Sequence, residues 1–264
     1  MNIGILSKRK EMFAGKLKSF FENKGFNVKI YTLKNLNIDE TLLQHDFLIL
    51  KSKLLFFYYA AYYAEANNIP VIPNPEISYK QKNRIESHFL LKEAGLTVPD
   101  FYMGTPQTLK KAFQPQDFPL VLKPIMGSGS RGVKKINSTE EFNFNHKHIL
   151  YLEKYIKGEH YNVYFISNEI CTLTKPPLSN EHVDMKRIDT PHDIKEVIRK
   201  WKNHLKGNAL FGHLDIVREN HSNKLYIVDP GSFPQFSNWR CNLPVVHKIC
   251  NLILEQFENL KVNI

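Results

Sequence analysis

Cysteine is scarce in this chain: Cys171, Cys241 and Cys250 are the three in 264 residues, they form no CxxC pair, and their number is odd. That usage argues against a disulfide framework and fits reduced thiols in a cytosol-like compartment. Long apolar runs are also missing. The longest, Leu54 to Ala64 (LLFFYYAAYYA), falls short of the roughly 20 residues a membrane helix needs, and Lys51 and Lys53 interrupt it upstream. The opening MNIGILSKRK places its apolar residues before its basic ones and has no small-residue cleavage site, the reverse of a secretory leader. Repeats and low-complexity tracts are absent, and the histidines show no HExxH or other metal spacing. The expectation is a soluble, cytoplasmic protein without a membrane partner.

What is present is globular in kind. Hydrophobic residues make up 42%, aromatic ones 12% and charged ones 23%, enough to bury a sizeable core. The length accommodates one large domain or two small ones with a cleft between lobes. Thirty-six Lys and Arg against 26 Asp and Glu leave a net charge of +10, so an acidic partner is expected. Nucleic acid, anionic membranes and densely phosphorylated small molecules all satisfy that balance. A nucleic-acid module is the weaker reading, because charge alone suggests it.

The first seventy residues alternate between apolar runs (Ile3 to Leu6, Val28 to Tyr31, Phe47 to Leu50, Val71 to Ile72) and helical patterns (Met12 to Phe21, Phe56 to Tyr63). Such alternation predicts parallel βαβ units. The breaker cluster IPVIPNPEISYKQ ends this lobe near residue 75. A helix from about Gln81 to Glu93, closed by Gly95 and Pro99, leads to short runs at Leu120 to Lys123, Val133 to Ile136, His148 to Glu153, Asn162 to Phe165 and Ile170 to Thr174. With little helix between them, these predict antiparallel sheet. A polar stretch, SNEHVDMKRIDTPHD, precedes a helix over Asp193 to Leu205, a hairpin over 210–229 and a helix over Pro244 to Leu260. The boundaries expected are 1–75 for an N-terminal α/β lobe, 76–158 for a central helix and lid, and 159–264 for a C-terminal subdomain.

Three segments carry chemistry. In HLDIVRENHSNKLYIVDP a turn centred on Ser222 sets Asp215 opposite Asp229. Facing like charges repel, so the pair calls for a cation, and hard oxygen ligands presented in twos suit Mg²⁺ shared with substrate phosphates. In FPLVLKPIMGSGSRGVKKI a strand ends at Lys123 and gives way to a loop containing Gly127, Ser128, Gly129, Ser130 and Arg131. Its glycines permit turns that aim N–H groups at an anion, although Val133–Lys134 and a following strand rule out a Walker loop. The third, YLEKYIKGEHYNVYFI, carries Glu153 and Glu159 around Gly158. A crossover of this kind offers backbone donors to a flat base and a carboxylate to a ribose, and a salt-bridged exposed strand explains it equally well.

The order of Arg84, Lys123, the GSGSRG loop, the EKYIKGE stretch, Asp215 and Asp229 resembles the ATP-grasp superfamily over residues from about 80 to 240. The resemblance implies an α/β (α+β) fold in which a parallel N-terminal lobe and antiparallel-sheet lobes enclose ATP. It further implies that Arg84, Lys123 and Lys175 hold phosphates and that Glu153, Lys154, Tyr155 and Ile156 line the adenine pocket. Glu159 is then the ribose carboxylate, and two magnesium ions bridge Asp215, Asp229 and the phosphates. Within the superfamily, IGILSKRK, DFLILK, YNVYFISNEICTLTKPPL and DIVRENHSNKLYIVDPGSFPQF resemble inositol polyphosphate kinases of the tetrakisphosphate and diphosphoinositol pentakisphosphate groups. Gly231 departs from that pattern, standing where the third metal ligand, usually Asn, is found. Asn162 replaces a lysine, and the GSGSRG loop is closer to those of the diphosphoinositol kinases and of carboxylate–amine ligases.

Lys8, Arg9 and Lys10 follow the first strand, and Lys51 and Lys53 another. Ligands of parallel α/β folds lie at the carboxyl ends of strands, so these five cations are expected to line the substrate crevice. Arg131 and His213 are added, the latter two residues from Asp215 on the same strand face. The expectation is an ATP-dependent kinase that transfers the γ-phosphoryl group to an inositol polyphosphate, to a hydroxyl or to a phosphate that becomes a pyrophosphate. Asp215, Asp229, Lys175 and Arg131 would carry the chemistry. The alternative is an ATP-grasp carboxylate–amine ligase working through an acyl phosphate.

Overall fold

The computed structural model describes residues 1–8, 13–127, 132–142, 149–178, 185–236, 239 and 244–262. Strands β1 (Asn2–Leu6), β2 (Asn27–Tyr31), β3 (Phe47–Leu50) and β4 (Val71–Ile72) form a parallel sheet in the order β2-β1-β3-β4. Helix α1 (Phe13–Asn23) packs Phe13, Leu17, Phe20 and Phe21 with Ile3 and Ile5, whereas α2 (Leu55–Ala66) packs Phe57, Ala60, Ala61 and Ala64 with Leu6, Leu48 and Leu50. Strands β1, β3 and β4 are covered on both faces, which is why they read as unbroken apolar runs, whereas the edge strand β2 alternates with exposed Asn27 and Lys29.

Glu65 lies near the end of α2, and burial, with repulsion from Glu76, pushes its carboxyl up to about 7. An unfolded glutamate titrates near 4.3, so the folded chain holds the extra proton between these values, and stability falls as pH rises through that window. Glu65→Gln should therefore raise the melting temperature more at about pH 8 than at about pH 5. Equal differences at both pH values would contradict the burial argument.

Where one helix was expected from residue 81, two are found, α3 (Pro75–Lys82) and α4 (Arg84–Glu93). Asn83 divides them, its side-chain oxygen accepting from the backbone N–H groups of Ile85 at 3.1 Å and Glu86 at 3.4 Å, an N-cap that starts a new helix. Pro75, read as a breaker, is the first residue of α3 behind the Asn74 cap.

A second sheet, β5 (Phe101–Gly104), β6 (Leu120–Lys123), β7 (Lys134–Ile136) and β8 (Leu150–Lys154), is antiparallel in the order β5-β8-β6-β7, with α5 (Pro106–Ala112) beside it. The third contains β9 (Gly158–Ile166), β10 (Glu169–Lys175), β11 (Lys186–Ile188), β12 (Phe211–Glu219) and β13 (Leu225–Gly231) in the antiparallel order β11-β10-β9-β12-β13. Helix α6 (His192–His204) places Ile194, Ile198 and Trp201 against Val163, Phe165, Leu214 and Ile216. The opposite face of that sheet, through Tyr164, Ile166, Leu173 and Phe211, shares one core with α1 and with α7 (Val245–Val262).

The thiols depart from the sequence reading in one respect. Cys250 is free and buried, and burial pushes it up to about 12, but Cys171 is disulfide-bonded. Bridging depends on the spacing of Cα atoms in the fold, which linear spacing does not give. Among the described residues no helix is long and apolar enough to cross a membrane.

Candidate active site

Asp215 on β12 lies directly opposite Asp229 on β13, and His213 opposite Gly231. The register shifts between Asp215 and Ile216, so that Ile216 pairs with Ile227 and Val228 is the extra residue. A bulge of this kind leaves one residue outside the ladder. Asp215 also faces Asn162 on the neighbouring strand β9.

Cations from three other elements meet the acidic pair. Arg84, the first residue of α4, donates to Asp229 Oδ1. Its backbone N–H donates to the carbonyl of Ile125 just after β6, tying the helix start to the glycine-bearing loop. A guanidinium at a helix N-terminus opposes the helix dipole, so Asp229 offsets an unfavourable placement. Lys175, at the end of β10, donates to Asp215 Oδ2 at 2.8 Å. Lys123, at the end of β6, donates to Glu153 Oε2 at 2.5 Å and to the carbonyl of the bulged Val228 at 2.8 Å. Tyr151 Oη donates to Glu153 Oε1 at 3.0 Å, completing a buried trio.

Burial alone would raise the carboxyl of Asp229, but Arg84, helped by His213, Lys53 and Lys123, outweighs it and holds Asp229 below the ordinary carboxylate range. Burial, with Lys53 beside it, pushes the His213 imidazole down to about 4, and burial with Lys175 does the same to His160. Both rings are therefore neutral at pH 7.

The structure thus brings Arg84, Lys123, Lys175, Glu153, Asp215, Asp229 and His213 to one region. Lys53 reaches it too, since a Cβ placed on Gly231 would lie 3.0 Å from Lys53 Nζ. Lys51 is used differently: it is buried, donates to the carbonyl of Phe233 at 3.1 Å and lies over the Phe233 ring at 4.8 Å. Glu153, expected at the adenine, is the buried partner of Lys123. Lys154 and Tyr155 continue from it, their N–H groups donating to Asp100 and Pro119 carbonyls, with Lys135 over the Tyr155 ring at 4.6 Å and Ile156 buried. Glu159 is exposed and accepts from Tyr161 Oη at 2.5 Å. Gly127 packs near Pro124 and Lys8 is exposed after β1. Ser128, Gly129, Ser130, Arg131, Arg9 and Lys10 lie outside the described residues.

Tyr151 and His160 have no place in the sequence reading of the site, and Asn162 enters it only as the replacement of a lysine. The signal for the last two was their period-2 spacing, which puts two polar groups on one face of an otherwise apolar strand.

Asp215 Oδ1 and Asn162 Oδ1 are buried oxygens without a hydrogen-bond partner among the described residues. With Asp229 they make an all-oxygen donor set, which fits a hard cation such as Mg²⁺. No group of three His, Cys, Asp or Glu among the described residues could hold a metal by itself.

Three sheets arranged in this way, with the basic and acidic side chains converging between them, constitute an ATP-grasp fold. A sequence-family model described as an ATP-grasp domain matches residues 82–210. D-alanine–D-alanine ligase from Bacillus anthracis superposes with a TM-score of 0.72 at 18% identity, covering 100% of this chain and 99% of that one, and has also been solved with ATP. The D-cycloserine synthetase DcsG gives a TM-score of 0.75 at 12% identity over 97% of this chain and 100% of that one. The L-amino acid ligase from Bacillus licheniformis gives 0.66 at 14%, over 88% and 66%. No curated protein sequence matches the chain.

Proposed function

We propose that this chain is an ATP-dependent carboxylate–amine ligase that activates its acid as an acyl phosphate. The observation that carries the reading is the distribution of cations at the substrate end. A substrate bearing several phosphates needs many point charges and bidentate arginines, yet Lys51 is committed to Phe233, and Lys53 is the described member of the five that reaches the acidic hairpin. Among the described residues that leaves one cation, which suits one carboxylate. The likeness to ligases supports this alternative over the inositol polyphosphate kinase reading.

In the first step a carboxylate oxygen of the substrate attacks the γ-phosphorus. The bond from that phosphorus to the β,γ-bridging oxygen breaks, and ADP departs with the electron pair. An amine nitrogen then attacks the acyl carbon, inorganic phosphate leaves with the C–O bond electrons, and the nitrogen loses its proton to solvent. Charge builds on the equatorial phosphoryl oxygens in the first step. Lys123 and Arg84 come from the lid strand and from α4, Lys175 from the floor, so together they surround that charge with fixed donors. A divalent ion held by Asp215, Asn162 and Asp229 would neutralise phosphate oxygens. Arg131 is proposed to orient the γ-phosphate, and Lys154, Tyr155, Ile156 and Glu159 to receive the nucleoside.

The test is ADP release across panels of amino acids and peptides, with hydroxylamine present to trap an activated acid. ADP formation that depends on a carboxylate, together with a hydroxamate product, is expected. Transfer of labelled phosphate to an inositol polyphosphate in the absence of any carboxylate would restore the kinase reading instead.

A further inference from the structure

We infer that the site takes one divalent ion, rather than the two expected from the sequence, and that the ammonium of Lys53 supplies the second positive charge where the acid meets the γ-phosphate. The inference rests on the ATP reading for its nucleotide. Asp229 and Gly231 share a face of β13, as His213 and Asp215 share a face of β12, and the two pairs lie side by side. At the inner end of this patch are the unpartnered oxygens of Asp215 and Asn162, with the Asp229 carboxylate facing Asp215.

The outer end is built differently. Gly231 offers no side chain, and the space for one is filled, because a Cβ there would fall 2.0 Å from His213 Cε1, 2.4 Å from Nδ1 and 3.0 Å from Lys53 Nζ. Ordinary carbon contacts are about 3.5–4.0 Å, so no ligand can project from position 231 while the imidazole stays where it is. The ring itself is a nitrogen donor, which Mg²⁺ takes poorly compared with oxygen. An ammonium at the same spot repels a second divalent ion. It also meets an incoming phosphoryl or carboxylate oxygen with a positive charge that no metal need bring. Asp229 completes the arrangement: Arg84 already holds one of its oxygens, which leaves the other for a single ion.

Mn²⁺ standing in for Mg²⁺ makes the count measurable by paramagnetic resonance, with the full chain and a non-hydrolysable ATP analogue. One Mn²⁺ per chain with a single-ion spectrum is expected. Two ions with a coupled-pair spectrum would overturn the inference and leave the ATP reading intact, whereas no nucleotide-dependent Mn²⁺ at all would overturn both. Lys53→Met should weaken the triphosphate analogue about tenfold while leaving ADP affinity nearly unchanged. Equal affinities before and after would remove Lys53 from the role. The double substitution His213→Ala with Gly231→Asn, which clears the space and adds an oxygen donor, should admit a second Mn²⁺.

Discussion

Asp229→Asn should lower ATP turnover more than about 100-fold and also destabilise the fold by about 3 kcal/mol. The catalytic loss follows from removing a charge at the ion site. The stability loss follows from Arg84, whose side chain is 7% exposed and would be left as a buried guanidinium without its carboxylate partner. Adding Arg84→Met should recover much of the stability and none of the turnover. Urea unfolding and ADP release on the parent, the single and the double variants separate the two effects. A single variant that unfolds early yet turns over normally would leave Asp229 a purely structural anchor.

The Lys123–Glu153 pair should behave in the same sense for stability. Both side chains are 8% exposed, so Lys123→Met or Glu153→Leu alone should cost about 3–5 kcal/mol, whereas the double substitution should return to within about 1 kcal/mol of the parent. Nucleotide affinity should follow position 123. A calorimetric titration with the ATP analogue is expected to show the loss in Lys123→Met and in the double variant, but only a modest change in Glu153→Gln. If Glu153→Gln lost as much affinity as Lys123→Met, Glu153 would belong at the adenine, as the sequence resemblance implied.

These two clusters mark where the sequence was legible. Asp215 and Asp229 were placed opposite one another by a turn centred on Ser222, and that pairing is found. The outer ladder is nevertheless offset by one residue, with Ile216 on Ile227, and the bulge restores the alignment at the aspartates. A bulge has no composition of its own, so the intervening register was hidden. The βαβ alternation was clear because β1 and β3 are buried on both faces. β5 carries half-exposed side chains, and α3 begins between prolines that more often break helices, so neither stood out. The pairing of Glu153 was hidden for a different reason: its partner Lys123 stands on the adjacent strand, diagonal to it across the Val121–Glu153 and Lys123–Tyr151 pairs. Asn162 meets Asp215 only because β9 lies beside β12, a contact between segments some fifty positions apart that no local pattern encodes.

Val228 gives this hairpin a phase that depends on length rather than chemistry. Had the outer ladder continued with Val228 paired rather than bulged, Asp215 would face Val228, and Asp229 would stand across from Leu214, whose side chain lies in the layer beneath α6 with Ile216 and Ile227. A one-residue shift moves every side chain to the opposite face. Pairing Val228 into the ladder would therefore bury an acid under the sheet and silence the chemistry with every charged group still in the chain, whereas deleting Val228 would remove the bulge and keep Asp229 across from Asp215.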